Sequence, residues 1–62
     1  MKVLKDFREL MKKTPEEMAK ELKISLSYYE KVEYGYIKPS RNFIDKFAKK
    51  FPMIDTNIFF TK

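Results

Sequence analysis

The stretch from Thr14 to Gly35, T-P-E-E-M-A-K-E-L-K-I-S-L-S-Y-Y-E-K-V-E-Y-G, decides how this chain is read. Thr14 can accept from the backbone N–H of Glu17, Pro15 needs no N–H at a first helical position, and the Glu17 side chain can reach back to Thr14. Together they predict a helix start. Met18, Ala19 and Leu22 then recur at helical spacing with Glu16, Lys20 and Glu21 on the other side, so a helix of about two turns has one buried stripe. Lys23 and Ile24 interrupt the pattern, and Ser25 is a good N-cap for a second helix that carries Tyr29 and Val32 on its apolar side. Gly35 suits the left-handed conformation just past a helix end.

Two short helices joined by a tight turn make a helix-turn-helix when they can cross closely, and Ala19 supplies the small side chain at that crossing. An ordinary helix pair in a small bundle would show the same spacing. The wording is more specific. T-x-E-E-M-A-x-x-L-x-I-S-x-S-x-x-x-K-V-E-x-G-x-x-x-P-S resembles the repressor and Cro-like DNA-binding domains of bacteriophages and bacteria, the xenobiotic-response-element type of helix-turn-helix. The resemblance covers roughly residues 3 to 60 and rests on Thr14, Glu17, Met18, Ala19, Leu22, Ile24, Ser25, Val32, Glu33, Gly35 and Pro39 together.

It implies an all-α, compact five-helix bundle of the lambda-repressor-like type, one domain over residues 1–62 with the helix-turn-helix at 14–35. Two positions depart from the pattern. The family commonly has a glutamine that touches the DNA backbone where this chain has Pro15, and often glycine in the turn where this chain has Lys23. A lysine in a left-handed conformation costs on the order of 1 kcal/mol, so the turn is either slightly strained or shaped differently.

Composition narrows the function classes. A domain this small buries only about 60% of its unfolded surface, so its six Phe and four Tyr are a needed supply of large apolar groups. Without cysteine or histidine, neither a disulfide framework nor a thiolate or imidazole metal site is available, and no cofactor is expected. No apolar run spans a bilayer or resembles a signal peptide, which predicts a cytoplasmic protein. Fourteen Lys or Arg against nine Asp or Glu give a formal charge of +5, which suits a polyanion partner and equally suits a solubilising lysine surface.

Outside the central stretch, Val3, Leu4, Phe7, Leu10 and Met11 predict an amphipathic helix from about Lys2 to Lys13. Arg8 borders its apolar stripe, and the resemblance implies that it pairs with Glu33. After Gly35, Pro39 extends Lys38 and Ser40 can cap a helix whose apolar face is Phe43, Ile44, Phe47, Ala48 and Phe51. Pro52 ends it. A fifth short helix is expected after Asp55, with Ile58 and Phe59 turned inward.

In a helix-turn-helix the second helix enters the major groove and neighbouring helix starts and loops grip phosphates. Leu26, Ser27 and Lys31 are then the base readers: Leu26 for a thymine methyl, Ser27 for several bases, Lys31 for guanine O6 or N7. The expected phosphate contacts are backbone groups at the helix start near Pro15, the cap Ser25, and Tyr36, Lys38, Ser40, Arg41 and Asn42 around the next helix start. Tyr28 either sends its hydroxyl to a phosphate or packs against Ile24.

One such unit reads only a few base pairs, so a homodimer on an inverted-repeat operator is expected, with Met53, Ile54 and Phe60 either a two-fold contact or core. The expected function is a Cro-like transcriptional repressor binding double-stranded DNA in a bacterial or phage-infected cell. The competing reading is a protein-interaction module of antitoxin or antirepressor type, for which Leu26 and Glu30 on the reading face speak. An enzyme is the poorest reading, since the chain has neither a histidine base, a thiol nucleophile nor a glycine-rich phosphate loop.

Overall fold

Capping residues set where the helices begin. A computed structural model describes residues 1–59 and shows the first of these starts at Thr14, where Oγ1 accepts from Glu17 N–H at 3.1 Å while Glu17 Oε1 accepts from Thr14 N–H at 2.8 Å. These bonds also hold the Glu17 carboxyl below its ordinary pKa. Ser25 and Ser40 cap the next two starts through their hydroxyls, to Tyr28 N–H and Phe43 N–H. The resulting elements are α1 (Lys2–Leu10), α2 (Pro15–Leu22), α3 (Leu26–Glu33) and α4 (Arg41–Lys50), then a single 3-10 turn at Thr56–Phe59.

Left-handed residues set where they end. Lys12 (φ 56°), Lys23 (φ 57°) and Gly35 (φ 84°) follow α1, α2 and α3. In each case two backbone amides turn back onto the last carbonyls, as where Lys23 N–H reaches Lys20 O at 3.1 Å and Ile24 N–H reaches Ala19 O at 3.0 Å. Glycine would adopt this backbone without a Cβ penalty, and two of the three positions hold lysine. At Lys23 the carbonyl also accepts from Lys46 Nζ at 3.1 Å, which ties the turn to α4. Lys23→Gly is therefore expected to stabilise the fold by about 1 kcal/mol and to raise Tm by roughly 4–8 °C in a thermal melt. An unchanged or lower Tm would show that the turn carries no strain.

Packing follows the apolar stripes. α2 packs on α3 and α4, α1 on α3, and the 3-10 turn on α4. Leu4, Met18, Ala19, Leu22, Tyr29, Val32, Phe43, Phe47 and Phe51 form the buried core. Aromatic edges knit the two ends of the chain to α4: Phe7 stands edge-on to Phe51 with centroids 5.0 Å apart, and Phe59 stands edge-on to Phe47 at 5.0 Å.

Two expectations are corrected, and one left open is decided. Among the described residues there are four α-helices, and the fifth segment is one 3-10 turn, closed by the bond from Ile58 N–H to Asp55 O three residues back; Asp55 Oδ1 caps this turn by accepting from Asn57 N–H at 2.9 Å. α1 stops at Leu10 instead of running to Lys13, since Lys12 turns left-handed. As a result Leu10 is 79% exposed, and Met11 is exposed too, although both share the period of the buried Leu4. Lys23 adopts the left-handed conformation, so the turn keeps its shape and carries the strain.

Candidate nucleic-acid interface

Helical period divides α3 into two faces. Tyr29, Val32 and Glu33 are buried, while Leu26, Ser27, Lys31 and Tyr34 are exposed and Glu30 is half-exposed. A residue every three or four positions on the outer side leaves one continuous polar strip along the helix. No arginine, asparagine or glutamine stands on that strip, so it offers one cation (Lys31), one carboxylate (Glu30), two hydroxyls (Ser27 and Tyr34) and one aliphatic tip (Leu26).

What holds α3 in place is a buried charge pair. Arg8 Nε lies 3.0 Å from Glu33 Oε2 and donates to it, Nη2 donates to Oε1 at 3.1 Å, and Nη1 donates to Lys13 O at 2.9 Å. Both side chains are largely out of solvent, so this fork joins α1, its exit and the last turn of α3 in a low-dielectric place. Burial pushes the Glu33 carboxyl up, but the Arg8 hydrogen bonds, the Tyr29 hydroxyl beside it and the Arg8 charge outweigh this and leave it below its ordinary value. The bonds from Glu33 raise the Arg8 guanidinium in return. Burial and then Glu33 push the Tyr29 hydroxyl up; it lies beside the pair without meeting an acceptor in good hydrogen-bond geometry.

The two flanks of α3 differ. On the α2 side, Pro15 has no N–H, the Glu17 amide is bonded to Thr14, and Glu16 and Glu17 place carboxylates in the first turn, so this end is a poor seat for an anion. On the α4 side, Tyr36 (78% exposed), Lys38, Ser40, Arg41 and Asn42 are all exposed around the start of a helix with no acidic residue in its first turn. Among the described residues, Arg41 meets a carboxylate only in a loose 3.7 Å contact to Asp45, with both side chains mostly in water. Such a pair is worth little and leaves the guanidinium available. Tyr34 and Tyr36 meet edge-on at 6.2 Å beside this loop.

Other expected site residues fall elsewhere. The Ser25 hydroxyl accepts from Tyr28 N–H as the α3 cap, and the residue stays exposed. Tyr28 donates its hydroxyl to Ser40 Oγ at 3.0 Å and packs its ring edge-on against Phe43. That contact was missed from sequence, because two residues twelve positions apart across a proline loop leave no periodic signal. Met53 is 71% exposed, Ile54 packs against the core, and Phe60 lies outside the described residues.

A family model described as helix-turn-helix matches residues 4–59. The chain belongs to this family. It is a DNA-binding regulator of the xenobiotic-response-element type, a class whose domains bind DNA and are not enzymes. Neither a curated protein nor a solved structure matches the helix-turn-helix chain. Among the described residues, no group of His, Cys, Asp or Glu is placed to hold a metal ion, and no helix is long and apolar enough to cross a membrane.

Proposed function

We propose that this helix-turn-helix protein is a sequence-specific repressor of Cro type that reads the major groove of double-stranded DNA with α3. The observation that carries the reading is the exposed strip of Leu26, Ser27 and Lys31, set beside an exposed basic loop in a chain of this family. Lys31 donates to guanine O6 or N7, Ser27 bonds a base edge and Leu26 meets a thymine methyl. Tyr36, Lys38, Ser40, Arg41 and Asn42 grip phosphates on the α4 side, where the helix dipole favours anions. On the other flank the exposed cap Ser25 supplies a weaker contact, and the start of α2 at Pro15, with its two carboxylates, adds little.

Two copies address half-sites about 34 Å apart, and of the described residues expected at the contact between them, Met53 is the exposed one.

The test is a selection of bound sequences from a random duplex pool with the purified protein. An enriched inverted repeat with half-site centres about one helical turn apart is the expected result. In the Lys31→Ala variant the preference at one base pair per half-site is expected to relax by about 1–3 kcal/mol, with the melt unchanged. Equal loss on every sequence would make Lys31 a phosphate ligand. If a folded protein enriched no sequence, base reading by α3 would fall, and a protein partner for the same face would take its place.

A further inference from the structure

Neither base reading nor the phosphate grip uses the contact between Tyr28 and Ser40. The Tyr28 hydroxyl donates to Ser40 Oγ at 3.0 Å and accepts from Ser40 N–H at 3.2 Å, so both of its polar functions are committed to one residue on the far side of the loop. A phenol is a stronger acid than an alkyl hydroxyl, which makes Tyr28 the donor across the shared contact. Ser40 Oγ also accepts from Phe43 N–H at 3.1 Å. With Tyr28 and Phe43 filling its acceptor positions, the hydrogen of Ser40 is the one left for an outside acceptor. The Tyr28 ring is fixed at its other end, edge-on to Phe43 with centroids 6.1 Å apart.

Resting on the DNA reading above, we propose that Tyr28 is a positioning residue that does not touch the duplex. Its hydroxyl fixes the Ser40 end of the phosphate grip relative to the reading helix, so that base contacts and backbone contacts are made at one set spacing. The loop from Tyr34 to Ser40 is otherwise exposed along most of its length. Without the bond, Ser40 keeps its cap on Phe43 N–H but loses its tie to α3, so its placement relative to the reading helix would be set only as the duplex arrives, and that ordering weakens binding.

A double-mutant cycle on affinity for a random-sequence duplex at low salt tests this, with a thermal melt of every variant. Tyr28→Phe removes only the hydroxyl and keeps the ring on Phe43. Ser40→Gly removes the serine hydroxyl at a cap position where glycine costs little. Tyr28→Phe is expected to weaken binding about tenfold on every duplex while the melt moves by no more than a few degrees. In the Ser40→Gly background, where only the bond from the backbone N–H of residue 40 remains to be lost, the same change is expected to cost clearly less than about tenfold.

Losses that multiply would show Tyr28 acting on the DNA by itself and would overturn the proposal. So would unchanged binding of Tyr28→Phe, or a binding loss matched by a collapse of its melt. Absence of binding by the parent protein to any duplex would be a different result: it removes the DNA reading and this inference together.

Discussion

Arg8→Ala is expected to destabilise the domain by about 3–5 kcal/mol. The fork from Arg8 to Glu33 and Lys13 O is buried, so truncating the arginine strands a carboxylate in a low-dielectric site with the Tyr29 hydroxyl as its nearest polar neighbour. A chain of this length has a total stability of roughly 3–9 kcal/mol, so the variant loses a large share of its stability. A far-UV circular dichroism melt reads this directly. A Tm within a degree or two of the parent would show that the pair contributes nothing. Replacing both partners with apolar residues of similar volume is expected to be far milder, because no charge is then left buried alone.

The pair has a pH signature whose sign follows from Glu33. Its pKa is lowered on folding, so between the folded value and the ordinary glutamate value near 4.3 the unfolded chain binds the extra proton. The stability contribution is therefore complete at neutral pH and is lost as pH falls through the folded value. Glu33→Gln is expected to lower stability at neutral pH and to flatten this acid limb.

Affinity for random duplex DNA is expected to fall steeply with salt. Lys31, Lys38 and Arg41 are the exposed cations assigned above to the duplex in each copy. If all three release counterions, raising salt from about 50 to 200 mM weakens a single bound copy by roughly 40-fold and a pair of copies by about 10³-fold. A fluorescence anisotropy titration at several salt concentrations gives the slope, and the slope distinguishes one copy from two. A flat response would remove the phosphate grip assigned to this loop.

The helix-turn-helix was legible because its signals are local. Thr14, Pro15 and Glu17 mark a start, Ser25 marks the next, and Gly35 marks a stop, each through bonds made within a few residues. The end of α1 was not legible for the same reason reversed: Lys12 turns left-handed with neither glycine nor proline to announce it, and Leu10 and Met11 keep the apolar period while facing water. The last segment was overread as a helix, since a capping Asp55 and two inward apolar residues fit one turn as well as several.

Period likewise placed Leu26, Ser27 and Lys31 on one side of α3. It carried no information about which polar atoms already had partners, and so could not choose between the two fates of Tyr28 or see that Lys46 closes the turn at Lys23. The cap occupies the third amide of the helix start on both flanks of α3, so the contrast between them rests on Glu16, Glu17 and the missing N–H of Pro15.

The order in which helices pack has a kinetic meaning. α2 rests on its immediate successor, and the other main packing pairs join elements one or two places apart along the chain, with Phe7 on the end of α4 the longest reach. Little loop entropy is lost before such contacts begin to reward the chain, which places the domain among the fast folders that assemble on microsecond to millisecond scales. The fork between Arg8 and Glu33 spans 25 positions and needs both helices already in place, so it belongs to the end of that process. A tie completed last adds little to the speed of folding and acts mainly by slowing escape from the native state.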